Sequence, residues 1–190
     1  GGEPIELTEA LIPLGVKDLT IVANNAGTGK TGIAALILAG VVRKVICSYP
    51  RTTDAHVFEA AYKAGKIELE LVPQGTLSER MRAAAAGIGG FYTPTGAGTK
   101  LSAGNETKQI DGRLHVLEKP LKGDVALIRG LKGDRWGNLV YRKSARNFNP
   151  VMAAAASLTV AQVSEVVELG ELDPETIVTP GIFVDRLVVV

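Results

Sequence analysis

The sequence predicts an α/β fold: an open, mostly parallel sheet with helices on both faces and a β excursion in the middle of the chain. Three observations carry the prediction. Strand-like apolar runs alternate with segments of helical period through the first half, the order that builds parallel sheets with right-handed crossovers. Hydrophobic residues make up 46% of the 190 residues, which supplies a full core for one substantial domain. The stretch 101–121 is polar and contains Asp111-Gly112, a pair suited to a tight hairpin turn between short alternating runs.

Taken in order, residues 5–14 place Leu and Ile at spacings of three and four, as an amphipathic helix requires. Residues 19–23 (LTIVA) form the first predicted strand, and 33–39 (IAALILA) return as a helix. The cycle repeats with a strand at 45–47, a helix at 54–64, a strand at 67–72 and a helix at 77–86. After the excursion, 125–130, 139–142, 158–160, 163–167 and 187–190 read as further strands. No internal repeat, low-complexity tract or Pro/Ser-rich linker divides the chain, so residues 1–190 read as a single domain.

Charge excludes several partners. The chain carries 21 basic and 20 acidic residues for a formal net charge of +1, so no global field recruits nucleic acid or an anionic membrane. No apolar run reaches the ~18 residues of a membrane span. The lone Cys47 has no internal disulfide partner, and nothing before Leu7 resembles a signal peptide, so a cytoplasmic location is expected.

Two glycine-rich loops stand out. Residues 24–32, NNAGTGKTG, superficially form a phosphate-binding loop ending in Gly29-Lys30-Thr31. Such a loop needs glycine where this chain has Asn24, whose side chain fills the space in which the backbone curls round a phosphate. The plain reading is a strand-to-helix turn in which Asn24 and Asn25 hydrogen-bond the loop backbone. A turn at the carboxyl edge of a sheet also touches any ligand bound there. The second loop region, PQGTLSERMRAAAAGIGGFYTPTGAGT at 73–99, begins with a tight Pro-Gln-Gly turn that puts the Gln74 amide at the same edge. Residues 87–98 hold too much glycine for a helix, and glycine lets backbone come close to a bound molecule.

Other reactive residues are sparse. His56 and His115 are far apart and lack metal-ligand spacing with Cys47, so structural roles are expected for both. Cys47 ends an apolar strand and reads as a buried structural thiol. No Gly-x-Ser-x-Gly elbow occurs. In KGDRWGNLVYRKSARNFNP at 132–150, Arg142, Lys143 and Arg146 are suited to pair with carboxylates or phosphates of a small ligand or with a partner chain. The plain alternative there is a solvated, salt-bridged loop.

Together, NNAG at Asn24, VICSYPR at Val45, VPQGTLSERMRAAAAGIGGFYTPTGAGT at Val72, KGDRWGNLVYRKSARNFNP at Lys132 and ELGELDPETIVTPGIFVDR at Glu168 resemble the A subunit of the family I CoA-transferases. The likeness covers essentially the whole chain. GDRWGNL, ARNF and TPGIFV are most similar to members that act on 3-oxoadipate, followed by the succinyl-CoA:3-oxoacid and acetate:acetoacetate types. The resemblance implies a two-subunit enzyme moving CoA from succinyl-CoA to a 3-oxoacid, through a glutamyl-CoA thioester on a partner, the family's B subunit. Two copies of each chain are implied, with a coenzyme A thioester as substrate, no permanently bound cofactor and no metal.

The nucleophilic glutamate of that family lies in a Ser-Glu-Asn-Gly motif of the partner, which this chain lacks; Glu168-Leu169-Gly170 fits a related pattern only superficially. Gln74 matches the family's oxyanion-stabilising glutamine. A carboxylate attacking a thioester builds negative charge on the carbonyl oxygen, and a fixed neutral donor stabilises it without reacting. Substrate and CoA contacts are expected at Gly1, Gly2, Asn24, Asn25, Gly75, Gly96, Gly98 and Arg146. The start departs from the family's Gly-Gly-Phe followed by Gly and Pro, reading Gly1-Gly2-Glu3-Pro4, and residues between Gly2 and Glu3 are expected to be missing. The cation for an acceptor's distal carboxylate stays open among Arg51, Arg82, Arg142 and Arg146. The competing reading is a non-catalytic α/β module that binds a nucleotide-like ligand on its NNAG and GAG loops.

Overall fold

A computed structural model describes residues 2–190. After a short helix, Ile5–Glu9 (α1), the strands Leu19–Val22 (β1), Val42–Cys47 (β2) and Glu68–Leu71 (β3) pair in parallel in the order β1-β2-β3. The predicted helix 5–14 ends early because Pro13 disfavours helical backbone before it and Gly15 turns left-handed at φ 69°. β2 starts earlier than its apolar run. Arg43 bridges to Glu68 at 3.3 Å and Thr20 at 3.2 Å, and Lys44 to Glu70 at 2.5 Å, so cross-strand polar pairs extend the strand.

The period of β2 divides two cores. Val45 and Cys47 face Ile33–Leu38 (α2) and His56–Lys63 (α3), in a cluster with Leu36, Ile37, Val57 and Phe58. Ile46 points to the other face, where it packs with Leu77 and Met81 of Gln74–Ala85 (α4) and Ala155 of Asn149–Ala155 (α5). Helices therefore cover both faces, as expected.

The β excursion forms an antiparallel sheet of Phe91–Thr93 (β4), Thr107–Ile110 (β5) and Arg113–Glu118 (β6), ordered β4-β6-β5. Asp111 and Gly112 carry φ of 48° and 73°, the pair of left-handed residues that a two-residue hairpin turn needs.

The remaining strands form two further sheets. Gly123–Arg129 (β7), Ala156–Val163 (β10) and Arg186–Val189 (β12) are parallel in the order β12-β10-β7. Lys132–Asp134 (β8), Leu139–Val140 (β9) and Glu165–Val167 (β11) make a small mixed sheet. The mostly parallel α/β fold is as predicted, with its parallel strands divided between sheets. The divider is α5: Ala155 joins the core under β2, while Ala153 packs with Ile128, Ala161 and Val163 of the second sheet. A helix apolar on opposite faces belongs between layers. Its alanine run lacks the polar contrast that marks a helix in sequence, and residues 149–155 were not predicted as one. No described helix is long and apolar enough to cross a membrane.

Candidate functional site at the carboxyl edge of the first sheet

Three chain segments leave β1, β2 and β3 at one edge and meet through Asn24. Its carbonyl oxygen accepts from the backbone N–H of Ser48 at 3.2 Å and of Tyr49 at 3.0 Å, carrying the β1–β2 ladder one residue further. Asn25 then forms a parallel bridge to Tyr49. The Asn24 side-chain Oδ1 accepts from Ser48 Oγ at 2.5 Å and from Gln74 Nε2 at 2.9 Å. One amide oxygen thus ties β2's exit to the start of α4.

The Pro-Gln-Gly segment is a helix start rather than a free turn. Pro73, at φ −52° and ψ 139°, caps α4 and its carbonyl accepts from Leu77 N at 2.8 Å. Gln74 is therefore the first helical residue and its side chain is exposed. A primary amide carries two N–H groups, and Asn24 takes one, leaving the second for an incoming oxygen. Gly75 follows, with nothing within 4 Å of where a side chain would begin.

The glycine-rich rim is anchored beside this amide. A Cβ on Gly96 would stand 3.9 Å from the Pro73 ring and 3.9 Å from Leu101, and one on Gly98 would stand 3.5 Å from Leu114 of β6. Both glycines have left-handed φ, 77° and 74°. Gly96 also borders a cavity of about 80 Å³ lined by Glu70, Arg80, Ser102 and Glu118. Arg80 clamps its walls, reaching Glu70 at 3.2 Å, Glu118 at 3.8 Å and the Lys119 carbonyl at 2.9 Å. Burial works to raise the Glu70 carboxyl, but Lys44 and Arg80 outweigh it and hold it below the usual range. Burial pushes Glu118 up against the opposing charge of Arg80.

The NNAGTGKTG loop does not present a phosphate site. Asn25 Oδ1 accepts from Gly27 N at 2.9 Å, the local turn expected of that asparagine. Gly27 sits at φ 91°, and a Cβ there would stand 2.7 Å from Ala34 N, so the loop is pressed onto α2. The amides at the start of α2, which a phosphate would need, are already taken. Gly32 N donates to Glu9 Oε1 at 2.8 Å and Ile33 N to Glu3 Oε1 at 3.2 Å. Two carboxylates of the chain itself fill the anion position, so this helix start offers no free amide to a phosphate.

Other expected site residues lie elsewhere. The Gly2 carbonyl accepts from Asn149 Nδ2 at 3.1 Å, and a Cβ on Gly2 would stand 2.3 Å from the Ala145 carbonyl oxygen. Arg146 ends the turn Lys143–Arg146 and lines a separate cavity. Neither Gly2 nor Arg146 hydrogen-bonds to the Gln74–Asn24–Ser48 cluster. Gly1 lies outside the described residues.

The remaining reactive groups stand outside the hydrogen bonds of this cluster. Cys47 is fully buried, and burial pushes its thiol up to about 11, far from a nucleophile's range. His56 Nδ1 meets Asp54 at 2.5 Å on the surface, and His115 Nδ1 meets the Arg113 carbonyl at 2.8 Å. Among the described residues no group of His, Cys, Asp and Glu is arranged to hold a metal. Asp134 of GDRWGN is buried and accepts from Trp136 N and Asn138 N at 3.0 Å and from Asn138 Nδ2 at 2.8 Å. Asn138 Oδ1 in turn accepts from Gly181 N at 2.8 Å, so this motif is a folded corner joined to the PGIF segment.

Sequence reasoning missed Ser48, which fixes Asn24, and the Glu3 and Glu9 carboxylates at α2. The signal for Ser48 was its place directly after a buried strand, one step beyond Cys47 at the sheet's edge.

Comparison with known proteins shows the family. The Coenzyme A transferase family matches residues 1–190. The chain is 63% identical over 189 residues to the A subunit of 3-oxoadipate CoA-transferase from Pseudomonas putida, covering 100% of this chain and 82% of that protein. It is 48% identical over 187 residues to the A subunit of a probable succinyl-CoA:3-ketoacid coenzyme A transferase from Bacillus subtilis, covering 98% and 78%. A crystal structure of a variant of the decarboxylase AibA/AibB superposes with a TM-score of 0.82 at 23% identity, covering 100% of this chain and 73% of that one. That last likeness concerns the fold alone. A match along the whole sequence places the chain in the Coenzyme A transferase family.

Proposed function

We propose that this chain is the A subunit of a two-subunit CoA-transferase that moves CoA from succinyl-CoA to 3-oxoadipate. The observation that carries the reading is the exposed Gln74 amide, fixed by Asn24 at the carboxyl edge with one N–H to spare. Identity supports the acceptor, being 63% to the 3-oxoadipate relative and 48% to the 3-ketoacid one.

A glutamate of the partner chain attacks the thioester carbonyl carbon, and the carbonyl oxygen gains negative charge. Gln74 donates its second N–H to that oxygen, stabilising the charge as it develops. Ser48 and Asn24 keep the donor from turning away. The Gly96–Gly98 rim and the Gly75 position bring backbone close to the thioester without side chains in the way. The resemblance to the family adds Gly2, Asn25 and Arg146 as further CoA and substrate contacts, with Gly2 and Arg146 standing outside the hydrogen-bonded Gln74 cluster. The chain works as one domain in the cytoplasm, paired with its glutamate-bearing partner and doubled into a heterotetramer, and needs no permanently bound cofactor.

The test is co-expression with a partner chain carrying Ser-Glu-Asn-Gly, incubation with succinyl-CoA, and trapping by borohydride or hydroxylamine. A modified glutamate on the partner, found by peptide mass spectrometry, is expected. A kcat/KM for 3-oxoadipate above that for acetoacetate assigns the acceptor. No adduct with any 3-oxoacid in the assay defeats the proposal.

A further inference from the structure

The chain contains a second cavity, of about 530 Å³, that shares no lining residue with the Gln74 cluster. Val140 and Tyr141, the turn at 143–147, and Thr176 and Val178 of the C-terminal segment form its walls. Its volume falls in the range of small-molecule sites, roughly 300–1,000 Å³. Two of its lining residues are cations, Lys143 and Arg146, and no carboxylate lines it among the described residues. Tyr141, Ser144, Asn147 and Thr176 add polar groups.

Both cations are exposed. Arg43, Lys44, Arg51 and Arg80 each have a carboxylate partner, whereas Lys143 and Arg146 have none among the described residues. Their backbone is also held from beneath. Asn149, 3% exposed, donates through Nδ2 to the carbonyls of Ala145 at 3.0 Å, Arg146 at 3.2 Å and Gly2 at 3.1 Å, and its Oδ1 accepts from Arg129 N at 3.0 Å. A fully satisfied buried amide fixes where the turn stands. Lys143 at φ 51° and Asn147 at φ 45° bracket the turn in left-handed backbone that non-glycine residues rarely adopt. Such strain persists only where the surroundings over-determine it, and it gathers at binding sites.

We infer that this cavity is an oxyanion site, in which Lys143 and Arg146 bind a charged end of the substrates of the proposed transferase. The guanidinium fork of Arg146 suits a carboxylate or a phosphate, and Lys143 adds a point charge beside it. The substrates offer two such ends: the distal carboxylate of a dicarboxylic acid and the phosphates of CoA. The identity of the ligand rests on the transferase reading, while the existence of an anion site does not.

The test uses the chain assembled with its partner, in wild-type form and as Arg146→Ala and Lys143→Gly. Lys143→Gly removes the charge and relaxes the backbone at φ 51°, so it stays folded if Arg146→Ala does not. Calorimetric titration with 3′-phospho-ADP probes the phosphate end, and adipate, with hexanoate as the one-carboxylate control, probes the other. Loss of a charge-assisted contact weakens binding by about tenfold or more. A weakened 3′-phospho-ADP titration with unchanged adipate assigns the phosphate end. A weakened adipate titration, with a raised KM for 3-oxoadipate and an unchanged one for acetoacetate, assigns the carboxylate end. Wild-type affinity for both probes in both variants overturns the inference. Failure of the glutamyl adduct to form in the wild-type complex defeats the transferase reading separately, because the titrations need no turnover.

Discussion

The proposed oxyanion role of Gln74 predicts that replacing it separates catalysis from folding. The side chain is exposed and makes one hydrogen bond, to Asn24 at 2.9 Å, so Gln74→Ala gives up about 0.5–1.5 kcal/mol at most. For a chain of this size each kcal/mol moves Tm by about 2–4 °C, so the shift stays under about 6 °C. Activity behaves differently. Removing one oxyanion donor costs about 2.7–4 kcal/mol in the barrier, a loss in kcat of about 10² to 10³. Gln74→Glu sharpens the contrast. A carboxylate at the first position of α4 gains about 0.3–1 kcal/mol from the helix dipole, offset by facing the Asn24 oxygen, so stability changes little. The same substitution removes the donor and sets a negative charge against a developing one, so its kcat falls at least as far as that of Gln74→Ala. The assay is steady-state CoA transfer by the assembled two-chain complex, with Tm measured on the same samples. Wild-type kcat in Gln74→Ala refutes the oxyanion role. A Tm that falls in proportion to the activity refutes the separation and makes Gln74 a structural residue.

Two further predictions concern the frame around the site. Asp134→Ala strips three hydrogen bonds from a side chain that is 4% exposed and leaves two backbone amides without their acceptor, so stability falls by about 2–4 kcal/mol. Urea unfolding measures it, and a wild-type midpoint would show that the corner between GDRWGN and Gly181 is dispensable. Cys47 governs an alkaline limb. Burial raises its pKa from 9.0 to about 11, so the folded chain keeps a proton that the unfolded chain releases. That contribution is intact below pH 9.0 and is lost as pH rises toward about 11. Urea midpoints across that window should fall more steeply for wild type than for Cys47→Ala; equal slopes would show that the thiol does not titrate as its burial requires.

Reading by local pattern succeeded where the physics is local. The alternation of apolar runs with helical periods located β1 to β3 and α2 to α4 to within a few residues, because burying one face imposes its period on the sequence. Asp111-Gly112 marked its hairpin for a similar reason, since two consecutive left-handed residues demand that chemistry. Failures came where distant partners decide. Arg43 and Lys44 look like loop residues until Glu68 and Glu70 stand across from them. The alanines of α5 show no amphipathic face, since opposite sides of that helix enter different cores.

The candidate site divides in the same way. Sequence alone determined that Gln74 and Asn24 follow parallel strands and so reach the carboxyl edge, and that the glycines of 87–98 leave backbone bare, while the structure set Gly96 against Pro73. Only the tertiary structure decided that Asn24 holds Gln74 across a separation of 50 residues, and that Glu3 and Glu9 close the α2 amides from 30 and 23 residues away. The same holds for the cavity that joins the 143–147 turn to Thr176 and Val178. Side-chain hydrogen bonds act over about 3 Å with strict geometry, so the folded backbone must first bring the two ends together. A periodic apolar pattern needs no such partner to be read.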